Sequence, residues 1–291
     1  ISRLKTALRA KGIEIVGDAT PRAPLSNQLN LGELYPPKRG DEHRVANRSD
    51  FKKIEVGALI AGGGIAGSAL FRYMADSGLN PVLVNADRGS SWRNIVGGRT
   101  AFSLPELAEI AEHNHAIFKE LQKISNIDYK TTRYINLAHD EPTFNALDAS
   151  RAWSDAYMVD PKNFQKEISP YFSTKSKRYL GALITNDCWQ ATPGKVVDLI
   201  RNMGISAGGR IVEDCKVLEV MKEGSTYSIL VLTHDKKYVE FRTEIFVNAL
   251  GAGAGKICEG LGIHAGLYPV RHQAFITRRL PMLGKNGDSL D

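Results

Sequence analysis

The run Gly62-Gly63-Gly64-Ile65-Ala66-Gly67 constrains this chain more than any other feature, because it sits between an apolar stretch and a helix-patterned one. Ahead of it, residues 54–61 (IEVGALIA) read as a buried strand. Behind it, Ala66, Ala69, Leu70, Tyr73 and Met74 recur at helical spacing, and Gly78 is well suited to end the helix. Residues 81–85 (PVLVN) then read as a second strand. A GxGxxG run in that strand–turn–helix–strand setting points to a dinucleotide. The first glycine permits the tight turn, the second lets backbone approach a pyrophosphate, and the third lets helix pack closely on strand. The phosphates then lie against free N–H groups at the positive end of the helix dipole. Gly62, Gly64, Ile65, Ala66 and Gly67 are the candidate ligands, and a purely structural turn is the competing reading.

A ribose-binding acid is expected about 20 residues further on, at the end of the second strand. Asn85 occupies that place, followed by Asp87 and Arg88. Asn85 can bond a ribose hydroxyl as a neutral group. Asp87 can do so as an acid if the strand end bulges, and it is slightly favoured.

The remaining chain is divided by texture. Residues 1–50 lack sustained periodicity and contain Pro21, Pro24, Pro36 and Pro37, the pattern of an extended arm. Residues 1–53 hold 11 lysines and arginines against 6 acids, so most of the formal charge of +6 belongs to the arm together with the three residues that follow it. The body is near neutral, which argues against a nucleic-acid interface there. The opening residues lack the apolar run of a secretory signal, and the chain starts at Ile1, the pattern of a processed or trimmed product. A long helix is predicted over 104–125, with Leu107, Ile110, Ala111, Ile117, Phe118, Leu121 and Ile124 as its buried stripe and His113 and His115 on its solvated side. Short strand-like runs follow at Tyr134–Ala138 and Tyr179–Thr185, then a helix over 192–203. Strands are predicted over 210–212, 216–221, 228–233 and 239–242, and a buried one over 245–250 that enters Gly251-Ala-Gly-Ala-Gly255 and a short helix. No window reaches the roughly 18 apolar residues of a membrane span. Cys188, Cys215 and Cys258 lie far apart with no CxxC or Cys/His spacing, which reads as free buried thiols and no metal site. No Ser-His-Asp grouping, HExxH or P-loop is present.

Four stretches in order resemble the flavin-dependent amine and amino-acid oxidoreductases of the D-amino-acid oxidase family, which includes glycine oxidase, sarcosine oxidase and dye-linked proline dehydrogenase. The first is the glycine turn itself. The second is Ser91-Trp-Arg-Asn-Ile-Val-Gly-Gly98, similar to the family's loop under the flavin ring. The third is Thr192–Leu199 followed by Gly209–Val212 and Cys215–Val217, similar to the helix and strand that end at the adenine. The fourth is Val247-Asn-Ala-Leu-Gly251, then Leu261-Gly262 and Pro269-Val-Arg-His-Gln273, with His272 where the family pattern has glycine.

The resemblance implies FAD as cofactor. It also implies an α/β architecture, a Rossmann-like (GR2-type) FAD-binding domain interleaved with a mostly antiparallel β substrate domain. The expected division is an arm at 1–50, FAD-binding segments at 51–130 and 191–262, substrate-domain segments at 131–190 and 263–291, and a C-terminal part of the fold absent from this chain. A second polypeptide completing that part, hence a hetero-oligomer, is expected. Implied cofactor contacts beyond the turn are Asn85, Asp87, Arg88, Ser91, Arg93, Asn94, Gly97, Gly98, Val217, Ala249 and Gly251. Gly97 and Gly98 would let backbone lie flat on the flavin ring, and Val217 would offer backbone to adenine. The implied reaction is oxidation of the C–N bond of an amino acid or secondary amine by hydride transfer to flavin. Arg271 and His272 are the candidate catalytic residues, and Arg99, Arg278 and Arg279 are further candidates for a substrate carboxylate. A non-catalytic flavin scaffold, oxidation of a 2-hydroxy acid and a plain NAD dehydrogenase are the competing readings. The expected location is cytoplasmic, with an organelle matrix open as well.

Overall fold

The structure is a computed structural model that describes residues 51, 53–86, 89–94, 97–102, 104–170, 172 and 179–270. In chain order its strands are β1 (Lys53–Glu55), β2 (Ala58–Ala61), β3 (Pro81–Val84), β4 (Gly97–Gly98), β5 (Lys130–Ala138), β6 (Ala156–Val159) and β7 (Gly181–Gln190). They continue with β8 (Arg210–Val212), β9 (Lys216–Glu223), β10 (Thr226–Leu232), β11 (Tyr238–Thr243) and β12 (Phe246–Asn248). The helices are α1 (Ile65–Asp76), α2 (Pro105–Ile124), α3 (Glu141–Ala149), α4 (Phe164–Glu167), α5 (Pro193–Ser206) and α6 (Ala254–Gly260).

The chain divides into two compact units. One contains the described residues up to Asn94 together with those from Pro193 onward, and the other is Ile95–Thr192. The first is built on a parallel sheet in the order β12-β2-β3-β8. Its two central strands, β2 and β3, are short, wholly apolar and buried on both faces, as expected of a parallel sheet covered on both sides. Side chains alternate between two cores. Leu59, Ala61, Val82, Val84 and Val212 pack with Val220, Ile229, Val231, Val239 and Phe241 of a second sheet. Ile60, Leu83 and Ile211 pack instead with Phe71 of α1 and Ile205 of α5. The unit is therefore layered helix, parallel sheet, second sheet.

That second sheet runs β1-β11-β10-β9, with β1 parallel to β11 and the other pairs antiparallel. The single strand expected over 54–61 is thus two strands in two sheets. The break falls at Gly57, where a Cβ would stand 2.2 Å from the carbonyl oxygen of Leu79.

The Ile95–Thr192 unit holds an antiparallel sheet in which β7 pairs with β5, β4 and β6. Helix α2 belongs to this unit. It meets the sheet through a stacked contact between His115 of α2 and Trp189 of β7, with ring centroids 4.4 Å apart and planes within 6°. His115 is buried, contrary to the solvated position expected of it. The face that α2 buries carries Ala108, Ala111, His115 and Leu121, while Leu107, Ile110 and Ile124 of the expected stripe are exposed.

Helix packing in the first unit turns on one ring. Phe71 is fully buried, and a Cβ at Gly204 or Gly209 would each come within 2.5 Å of it. Replacing Phe71 by Ala is expected to cost about 3–5 kcal/mol of stability in urea unfolding, the usual range for a buried aromatic truncated to Ala.

Candidate cofactor site

The glycine turn is shaped by three close approaches. Gly62 has φ +103, and a Cβ there would stand 2.3 Å from the carbonyl oxygen of Ala249, just past β12. A Cβ on Gly67 would stand 1.9 Å from the carbonyl oxygen of Gly62. Backbone bonds lock the neighbourhood: Gly62 N–H donates to Val84 O at 2.8 Å, and Ala249 N–H to Ala61 O at 2.8 Å. The outer edge of the turn is different. Ile65 and Ala66 are exposed, no side chain caps Gly64, and the first turn of α1 contains no acid. A helix N-terminus left open in this way suits an anion, since its first N–H groups lack intrahelical partners. The close-packed glycines and the acid-free helix start, with no side chain on its N-cap glycine, fit a pyrophosphate.

Ser91 is the next group at this edge. The 3-10 turn Ser90–Trp92 brings its Oγ to within 2.9 Å of the Ile65 N–H, which donates to it. Arg93 and Asn94 are exposed just beyond. Gly251 has φ +57 and open space around it, and it starts the 3-10 turn leading into α6. Val217 lies in β9 opposite Val231, beside an irregularity in the β9–β10 register. Asp87, Arg88, Arg271, His272, Arg278 and Arg279 lie outside the described residues.

Asn85 is bonded within the protein. It is only 4% exposed. Its Oδ1 accepts from the Gly63 N–H at 3.1 Å, and its Nδ2 donates to Glu213 Oε2 at 2.8 Å. Both ends of the amide are committed inside the protein, tying the turn to the end of β8. The sequence reading also missed Arg201. Its guanidinium is 1% exposed and donates to Glu213 Oε1 at 2.7 Å, to Gly63 O at 2.8 Å and to Ser68 Oγ at 3.2 Å. The ring of Trp92 lies 4.9 Å from it. The signal available in the sequence was a lone cation among the buried apolar positions Val196, Val197, Ile200 and Ile205 of α5.

The second half of the Ser91–Gly98 loop falls in the other unit. Gly97 and Gly98 form β4 on β7, and a Cβ at Gly98 would stand 2.0 Å from the Trp189 ring. Glycine is thus required there by the tryptophan, independently of any ligand. Beneath Trp189, the His115 ring nitrogens face Tyr129 Oη at 2.6 Å and Asp187 at 3.2 Å. Arg99 sits between the rings of Phe102 and Tyr134, 4.8 and 5.0 Å away. Burial holds His115 below the ordinary histidine value of 6.5, against the opposing pull of half-exposed Asp187. Cys188 and Cys215 are pushed up by burial, Cys215 to about 12, so both stay as thiols. Among the described residues no group of three His, Cys, Asp or Glu could hold a metal ion, and no helix is long and apolar enough to cross a membrane.

The His115 geometry makes a pH prediction. A histidine with a depressed folded pKa contributes stability that is present above 6.5 and is lost as pH falls through the folded value. Replacing His115 by Phe keeps a ring on Trp189 but removes the titration. The wild-type advantage over that variant in urea unfolding should shrink between about pH 7.5 and 5.5. A constant difference across that range contradicts the assignment.

Comparison with known proteins gives a consistent picture. The sequence profile of the family described as "FAD dependent oxidoreductase" matches residues 58–290. Among solved structures, L-proline dehydrogenase from P. horikoshii superposes with a TM-score of 0.61 at 20% identity, covering 73% of this chain and 57% of that one. Glycine oxidase from Geobacillus kaustophilus gives 0.59 at 18% identity, covering 72% and 58%. L-alpha-glycerophosphate oxidase from Mycoplasma pneumoniae, solved with FAD bound, gives 0.54 at 18% identity, covering 72% and 57%. At these identities the likeness is one of fold, and the chain spans a little under three-fifths of each structure.

Proposed function

The chain belongs to the family of FAD-dependent oxidoreductases, and from that premise we propose that it acts in oxidising the C–N bond of an amino acid or secondary amine. The observation that carries the cofactor half of this reading is the acid-free start of α1, where Gly64 supplies no side-chain cap, on a parallel sheet with no room for side chains behind it. The substrate half is supported by the neighbours named for proline and glycine.

FAD, when bound, supplies a two-electron acceptor whose chemistry is its own. The protein's part is to bind and orient. In this reading the N–H groups from Gly64 to Gly67 and the dipole of α1 hold the pyrophosphate. The Ser91 hydroxyl, already accepting from Ile65, can turn its own proton toward a phosphate oxygen. Val217 offers β9 backbone to the adenine, and Gly251 leaves the far side of the turn open. In this reading the part of Asn85 is to order the turn, through its bonds with Gly63 and Glu213. The substrate amine must be neutral to release hydride, and a substrate carboxylate calls for an arginine fork. Arg271 is the proposed fork and His272 the proposed proton acceptor.

A second reading, oxidation of a hydroxyl-bearing carbon, is favoured by the glycerophosphate oxidase neighbour. Anaerobic mixing of the FAD-loaded protein with panels of amino acids, secondary amines and 2-hydroxy acids separates the two. Bleaching of the flavin absorbance by an amine is the expected result. Bleaching by a hydroxy acid alone replaces the proposal with the second reading.

The phosphate assignment has its own test. Ala66→Glu adds a carboxylate to the first turn of α1, where an acid favours the helix by about 0.3–1 kcal/mol but repels a phosphate. Thermal stability of the FAD-free protein should hold or rise, while FAD affinity falls by about tenfold or more, the equivalent of about 1.4 kcal/mol. Unchanged affinity places the pyrophosphate elsewhere.

A further inference from the structure

We infer that Arg201 is a positioning residue for the nucleotide turn, holding the Gly63 peptide from behind so that the N–H groups after it face the ligand. This deepens the proposed FAD-binding role and rests on it.

The Gly63 peptide is fixed at both ends. Its N–H donates to Asn85 Oδ1, and the Gly63 carbonyl accepts from Arg201 Nη2 and from Ser68 Oγ. A Cβ on Gly63 would stand 1.8 Å from Nη2, so the guanidinium occupies the space a side chain would otherwise need. Arg201 reaches this place from the middle of α5, an element 138 residues away in sequence. It is also the seat of the neighbouring 3-10 turn: Trp92 lies over the guanidinium, and the adjacent Ser91 meets the Ile65 N–H. One buried cation thereby organises both backbone segments that border the open start of α1. Its charge is matched by Glu213, and the two side chains are 2% and 5% exposed. A turn fixed before the ligand arrives avoids the ordering cost that a mobile turn would add on binding.

The same network accounts for a neutral residue at position 85. An acid there would set a second carboxylate oxygen 2.8 Å from Glu213 Oε2, where two ionised groups repel and one must take up a proton. Asparagine serves both neighbours instead, as an acceptor for Gly63 and a donor for Glu213.

The experiment measures affinity for FAD and for ADP alone, by titration of the FAD-free protein, together with its thermal unfolding. Arg201→Met should weaken both ligands by about tenfold or more, since both carry the diphosphate. Arg201→Met combined with Glu213→Leu removes the orphaned charge and should recover most of the lost thermal stability. The positioning role requires that affinity stay low in this double variant. Recovery of affinity in step with stability overturns it and leaves the pair a purely structural one. If the Met variant does not fold, Arg201→Lys keeps the charge and loses the planar fork. The inference then requires a weaker affinity than wild type for both ligands, and wild-type affinity overturns it. Asn85→Asp adds a separate readout: it sets a second carboxylate against Glu213 and should weaken binding of both ligands, and wild-type affinity contradicts the network. Failure of the unsubstituted chain to bind FAD or ADP removes the functional reading itself, an outcome distinct from a variant that binds normally.

Discussion

Two positions without side chains allow the parallel sheet to bring its turn beside its last strand. Gly62 lies so close to the Ala249 carbonyl, and Gly67 so close to the Gly62 carbonyl, that a methyl group at either would overlap backbone. Backbone cannot yield as the end of a long side chain can, so the constraint is hard. It sets how near α1 sits to β2 and how near the end of β12 comes to both. The placing of the N-terminus of α1 is a consequence of this: the helix begins just past the end of β2, and its first residues, Ile65 and Ala66, are exposed. Everything proposed for the phosphates depends on that geometry.

The two units solve a similar packing problem with different electrostatic results. In each, a helix carries a polar nitrogen-bearing side chain on its buried face, stacked against a tryptophan and paired with an acid. Arg201 meets Trp92 and Glu213; His115 meets Trp189 and Asp187. Glu213 is buried with its partner, so the pair is retained as an ion pair with further hydrogen bonds to satisfy it, as buried charges demand. Asp187 is half in water, its charge is screened, and burial of the imidazole prevails. The arginine therefore remains a fixed cation beneath a turn, while the histidine is a neutral hydrogen-bonding spacer.

Short apolar strands and the helices beginning at Pro105 and Pro193 were legible because local pattern and tertiary burial agree there. The turn was legible for the same reason, since GxGxxG in its strand–helix setting states its own geometry. What escaped was set by partners distant in sequence. The periodicity of α2 is satisfied equally by Leu107, Ile110 and Ile124, yet Trp189 selects the face with Ala108, Ala111 and His115. Small residues on that face admit a ring stack that a row of leucines would hold off. The break at Gly57 was invisible for a similar reason, because its cause is the Leu79 carbonyl beyond α1.

Asn85 shows how such a distant partner changes the meaning of a local signal. By position it is where a ribose acid belongs, and by chemistry it is a tolerable neutral substitute. The deciding residue is Glu213, 128 positions later and invisible to any window around the turn. Once a carboxylate is fixed at the end of β8 and neutralised by Arg201, a second one at the end of β3 is excluded by repulsion in a poorly hydrated setting. An amide is not a weakened acid in that place. It is the group that can accept from a backbone N–H and donate to a carboxylate at once, and either function alone would leave a buried polar atom unpaired. Asparagine at the end of this strand thus follows from where the chain has put its negative charge.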